Sequence, residues 1–126
     1  MSKTGSCLCG AVTYSLAQAP EHAGACHCSM CRSWSGGVFV AFMAAPETVE
    51  LTGTENLALF KSSEWAERAS CNKCGSSLFY RVTAPGPGQG TYHMGLGTLH
   101  DASSVVLKQE IFIDEKPDGY AFANET

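Results

Sequence analysis

Three cysteines fall within six residues in the run Cys26-His27-Cys28-Ser29-Met30-Cys31. Two tighter pairs flank it, Cys7-Leu8-Cys9 and Cys71-Asn72-Lys73-Cys74, and together these are all seven cysteines of the chain. Thiols this close suit a metal. Zinc takes thiolates at about 2.3 Å in a tetrahedron, and two ligands from one short turn leave little loop entropy to lose. Disulfides are the competing reading. An odd number of cysteines pairs poorly, and neighbours as near as Cys7 and Cys9 make strained bridges. The opening Met1-Ser2-Lys3-Thr4-Gly5 has no apolar signal core, so a reducing, cytoplasmic setting is expected.

Seven thiolates divide as four plus three. Cys7, Cys9, Cys71 and Cys74 can close one site with four protein ligands, the form of a structural zinc. Cys26, Cys28 and Cys31 then form a second site with an open fourth position, the form of a reactive metal. The rival division joins Cys71 and Cys74 to the triplet and strands Cys7 and Cys9, two adjacent thiols. His27 lies between two ligands and would have to fold back to be a fourth, so a neutral surface or packing role suits it better.

The remaining composition narrows the partners. Eight Lys and Arg stand against twelve Asp and Glu, a formal net charge of −4, which leaves no basic footprint for nucleic acid. No run approaches the ~18 apolar residues of a membrane-spanning helix. The 126 residues suit one domain, residues 1–126. Self-association into a homo-oligomer stays open.

Along the chain, residues 1–4 are a polar tail, and the first cysteine pair sits between Gly5 and Gly10. Residues 11–16 alternate, with Val12, Tyr14 and Leu16 on one side, as a half-buried strand does. Residues 18–24 are loop, and 24–28 lead into the triplet in extended form. Residues 29–35 form a helical turn with Ser29 as N-cap, ended by Gly36 and Gly37. Residues 38–43 are apolar throughout and read as a buried strand. Further strands are expected at 48–51, 57–61, 76–82, 91–99 and 105–113, with 65–71 leading into the second knuckle and 84–90 as a Gly/Pro hairpin tip. Residues 114–126 close the chain as a polar segment. Short strands with Gly and Pro between them give an all-β fold, and a core this small needs a metal staple, which contributes of order 10–16 kcal/mol in small zinc domains.

The motifs Gly5-Ser6-Cys7-Leu8-Cys9-Gly10, Cys26 to Arg32 with Ser35-Gly36, and Cys71-Asn72-Lys73-Cys74-Gly75 with Leu78-Phe79-Tyr80 resemble the glutathione-dependent formaldehyde-activating enzyme family, which includes centromere protein V. The resemblance continues through Gly97-Thr98-Leu99 and Ile111-Phe112-Ile113. It implies small twisted antiparallel sheets of the β-tent type. It also implies two Zn2+ per chain, with Cys7, Cys9, Cys71 and Cys74 as structural ligands and Cys26, Cys28 and Cys31 at the catalytic ion. The implied activity is that of a carbon–sulfur lyase, S-(hydroxymethyl)glutathione synthase, joining glutathione as co-substrate to formaldehyde or another small aldehyde. Two departures are Glu110, where the family often has His, and Asp118-Gly119-Tyr120, where it often has Trp.

A soft three-thiolate site favours sulfur ligands over water chemistry. It can lower the pKa of a bound thiol, polarise a carbonyl and hold two reactants together. The alternative is a non-catalytic zinc-containing carrier that binds glutathione or another thiol. A protein-interaction module, by analogy with centromere protein V, lacks the basic or low-complexity extension it would need. Arg32 and Trp34 follow the triplet and are candidates for the glutathione contact, Arg32 through a bidentate carboxylate pair and Trp34 as a lid over the metal. Arg68 is expected to order local backbone, Tyr80 and Tyr92 to be core, and His93 and His100 to be structural.

Overall fold

The computed structural model describes residues 3–126, and of the expected polar tail Met1 and Ser2 lie outside the described residues. Among the described residues ten strands form two sheets. The small sheet has the order β1-β2-β5 (Thr4–Ser6, Thr13–Leu16, Val49–Thr52) and is antiparallel. The large sheet has the order β10-β3-β4-β9-β8-β7-β6. Its strands are β3 (His22–Cys26), β4 (Phe39–Ala44), β6 (Leu57–Lys61), β7 (Ala66–Cys71), β8 (Ser77–Val82), β9 (Tyr92–Gly95) and β10 (Val106–Ile111). The described residues are mostly β, as expected, with one α-helix among them, α1 (Ser29–Ser35).

The core lies between the sheets. Val12, Tyr14 and Leu16, the three residues the alternation put on one side, pack with Phe42, Leu78, Phe79, Met94 and Leu99. Burying a side chain of this size stabilises the fold by roughly 1.5–3 kcal/mol. Two cysteines, Cys7 and Cys71, are part of this cluster. Gly5 has to be glycine: a Cβ there would lie 2.2 Å from the Tyr14 ring.

Several expectations need correction. Thr4, placed in the tail, begins strand β1, whose partner β2 supplies the ladder bonds. β3 starts at His22, inside the expected loop, because β10 runs parallel to it from Val106↔His22 to Ile111↔Cys26. That parallel pair also departs from an all-antiparallel fold. Residues 38–43 were expected buried throughout, but in β4 Phe39 and Phe42 are buried while Met43 is 68% exposed. Phe42, on one face of β4, joins the core cluster, and Phe39 and Met43 share the opposite face. The expected strand at 91–99 ends at Gly95 and turns through a 3-10 segment, Leu96–Thr98. The N-cap of α1 is Cys28, not Ser29: its sulfur accepts the Cys31 N–H at 3.4 Å.

Candidate metal centres and the cavity beside them

The four-sulfur group is built from two knuckles that match each other. Cys7 and Cys9 sit in the turn between β1 and β2, Cys71 ends β7, and Cys74 lies in the turn from β7 to β8. In each, a glycine one residue past the second cysteine takes a left-handed φ, 81° at Gly10 and 80° at Gly75. An L side chain is strained there, and glycine is not. The Gly10 N–H donates to the Cys7 carbonyl at 3.2 Å and the Gly75 N–H to that of Cys71 at 2.9 Å.

The sulfurs of this group fit a tetrahedral ion. A centre with sulfurs about 2.3 Å away has sulfur–sulfur edges of about 3.8 Å, and Cys7–Cys9 and Cys9–Cys71 both measure 3.7 Å. Backbone N–H groups aim at the sulfurs: Val12 at Cys7 (3.3 Å), Lys73 and Cys74 at Cys71 (3.4 and 3.5 Å). The Ser76 hydroxyl and N–H pull the Cys74 thiol down to about 5. Cys9 goes the other way, to about 11: the Ala11 N–H lowers it, but burial and the three neighbouring sulfurs outweigh that. Four thiolates cannot share this space without a cation, so metal binding here displaces protons.

The three-sulfur group forms where β3 gives way to α1. Cys26 ends β3, Cys28 caps the helix and Cys31 lies buried in its first turn. All three sulfurs lie within 4.8 Å of one another. The Cys26–Cys31 edge is 2.9 Å, so it has to open by about 0.9 Å to reach the spacing of a tetrahedral thiolate site. Burial pushes the Cys31 and Cys26 thiols up. Burial acts the same way on Cys28, but hydrogen bonds from the Cys31 N–H and from the neighbouring sulfurs leave it lowered.

A cavity of about 1360 Å³ opens beside this group, with Cys26, Cys28 and Cys31 in its wall. Arg68, Tyr80, His93 and Trp65 line it together with apolar residues such as Phe42 and Met43. None of Cys7, Cys9, Cys71 and Cys74 lines it. Its volume exceeds the roughly 300–1,000 Å³ of ordinary small-molecule sites.

The residues singled out near the triplet have separate places. Arg32 Nε donates to the His27 carbonyl at 3.0 Å, and Trp34 packs edge-on against Phe39 with centroids 4.9 Å apart. Neither lines the cavity. His27 is fully buried, and its Nε2 bonds Glu110 Oε1 at 2.8 Å. It does not join the sulfurs. Glu110, one of the departures from the family pattern, is thereby the partner of the histidine between two cysteines. Its carboxyl is held low, first by the Thr126 hydroxyl and then by His27. His100 is exposed and bonds Thr4 and Ser6.

Two cavity residues were given other roles by the sequence. Arg68 was expected to order backbone and Tyr80 to be core, yet both face the cavity. The signal was the parity of β7: Arg68 shares a strand face with buried Ala66, so its guanidinium had to point inward.

A family model described as "Glutathione-dependent formaldehyde-activating enzyme" matches residues 2–115. The chain belongs to this family. A protein of Schizosaccharomyces pombe (strain 972 / ATCC 24843) named as an uncharacterized lyase is 31% identical over 122 residues, covering 97% of this chain and 86% of its own length. The match to the family spans both cysteine groups and the cavity wall. No helix among the described residues is long and apolar enough to cross a membrane.

Proposed function

We propose that the protein is a cytoplasmic carbon–sulfur lyase that adds a thiol, glutathione in the first place, to formaldehyde or another small aldehyde, in the cavity beside Cys26, Cys28 and Cys31. One observation carries the reading: the three-sulfur group lies in the cavity wall and the four-sulfur group does not. A site with three protein ligands beside open space is the arrangement of a reactive metal, and a site with four is the arrangement of a structural one. The family match and the lyase name of the yeast relative support the same class of chemistry.

The reaction forms a sulfur–carbon bond and opens the carbonyl π bond, and the thiol proton ends on the new hydroxyl. A zinc ion held by Cys26, Cys28 and Cys31 would stabilise a thiolate and polarise a carbonyl. The chain's own residues supply the rest. Arg68 presents a fixed positive charge to the wall beside Cys31. Tyr80 is kept protonated, since burial raises it, and can donate to an oxygen that gains charge.

Exchange NMR on glutathione and formaldehyde tests this. The zinc-loaded protein should speed exchange between free and hydroxymethylated glutathione, and Cys28→Ala should abolish the effect. Saturable glutathione binding with unchanged exchange would make the protein a thiol carrier and overturn the lyase reading.

A further inference from the structure

Arg68 is a buried cation without an acidic partner. Its side chain is 3% exposed. Its guanidinium lies between the Trp34 ring (5.1 Å) and the Tyr80 ring (5.0 Å), and Nη1 and Nη2 both sit 3.8 Å from Cys31 Sγ. Nε has no hydrogen-bond partner. Among the described residues no carboxylate forms an ion pair with it. An unpaired buried charge is expensive, and two aromatic faces offset only part of the cost. The sulfur it faces supplies the missing negative charge only as a thiolate.

We propose that Arg68 sets the charge preference of the three-cysteine centre, so that the centre takes an anionic ligand, a thiolate first of all, ahead of a neutral one. The inference rests on the reading that Cys26, Cys28 and Cys31 hold a divalent metal. Three thiolates on such an ion leave a single net negative charge, which would repel a further anion. Arg68 cancels that charge from the protein side. The other basic side chains on the cavity wall do not substitute for it: Lys108 and His22 are exposed, and burial lowers the pKa of His93. Arginine suits the place because its charge is permanent and its flat face fits between two rings. Among the described residues the four-sulfur group has no arginine bonded to its sulfurs, and it needs none if its four ligands already complete the coordination. Arg68 is therefore a positioning residue of the centre.

The test uses cobalt(II) in place of zinc and reads the visible absorption of the metal. Cobalt-loaded protein is titrated at mildly alkaline pH with azide and mercaptoethanol, which bind as anions, and with imidazole, which binds neutral. Arg68→Gln should weaken the two anions about ten- to a hundredfold and leave imidazole within about twofold. Arg68→Lys, which keeps the charge, should restore most of the preference. If Arg68→Gln does not fold, Arg68→Met can fill the slot between the rings and carries the same comparison. An equal loss for anions and imidazole would mark Arg68 as merely structural and overturn the proposal, as would no change in either. A single cobalt ion per wild-type chain would instead remove the metal reading itself. Two ions with an unaltered ligand preference would remove only the part assigned to Arg68.

Discussion

The two cysteine groups use the same donor atom in opposite settings. Cys7 and Cys71 are counted in the hydrophobic core, and their knuckles come from different sheets, so closing that group ties the small sheet to the large one. Cys26, Cys28 and Cys31 lie outside the core cluster and within one stretch of β3 and α1, where closing the group joins nothing distant. In the first group sulfur spacing already matches a tetrahedral ion, and backbone N–H groups surround the sulfurs. In the second, one edge is too short and a buried arginine faces the Cys31 sulfur. On the proposed reading, sequence separation between the halves of a site goes with its role: ligands far apart in the chain would hold the fold, and ligands in one turn would leave the fold free and the site open.

The largest effect should come from a residue that touches little. Cys9 is exposed, so Cys9→Ala removes almost no packing. If its group holds a structural zinc worth roughly 10–16 kcal/mol, the substitution should cost about 5 kcal/mol or more. Thermal denaturation with metal analysis checks this, and a wild-type melting temperature would break the comparison. Cys28→Ala should behave differently. It removes the cap of α1, worth about 1 kcal/mol, and one bound metal per chain, while the fold persists and thiol chemistry is lost. A Cys28→Ala protein that retains both ions would sink the three-sulfur site.

Glu110→Ala sharpens the contrast at a smaller scale. It leaves His27 Nε2 buried without its partner, and Nδ1 already lacks one. A cost of about 1–3 kcal/mol is expected. Because His27 sits between Cys26 and Cys28, metal retention at the three-sulfur group should fall under chelator challenge, while the four-sulfur group keeps its ion. Equal weakening of both would mean that the His27–Glu110 contact supports the fold generally.

The two pairs and the triplet were legible because cysteine spacing is local information, and joining the pairs followed from the count of ligands. The alternation of Val12, Tyr14 and Leu16 was legible for the same reason. The parallel pairing of β3 with β10 was not, since its partners stand more than eighty residues apart and neither strand alternates cleanly. The cap of α1 was misplaced because a thiol is a weak acceptor, and here the position of Cys28 decided against the usual preference for Ser29. Arg68 was hidden for a different reason. A charged side chain is assumed exposed, and only the cross-strand register Arg68↔Tyr80 shows the ring it lies against. Residues that act through distant neighbours are the ones a linear reading misses.

The smallest effect concerns acid. His93 lies on the cavity wall, edge-on to Tyr80 with centroids 5.3 Å apart, and burial lowers its pKa. The folded state therefore binds this proton more weakly than the unfolded chain does. The stability associated with neutral His93 is complete above the ordinary histidine range, about 6.5, and is lost as pH falls below it toward the lowered folded value. Metal loss through thiolate protonation acts over the same range, so wild type must be compared with His93→Phe at each pH, which cancels what both share. The variant keeps the edge-on ring contact and lacks the titration. It should gain on wild type as pH falls from mildly alkaline to mildly acidic. A difference independent of pH would mean that His93 titrates alike in both states, and that the cavity wall is wetter than its lining implies. Four-sulfur metal content should be the same in both proteins throughout, since His93 stands on the other group's side of the molecule.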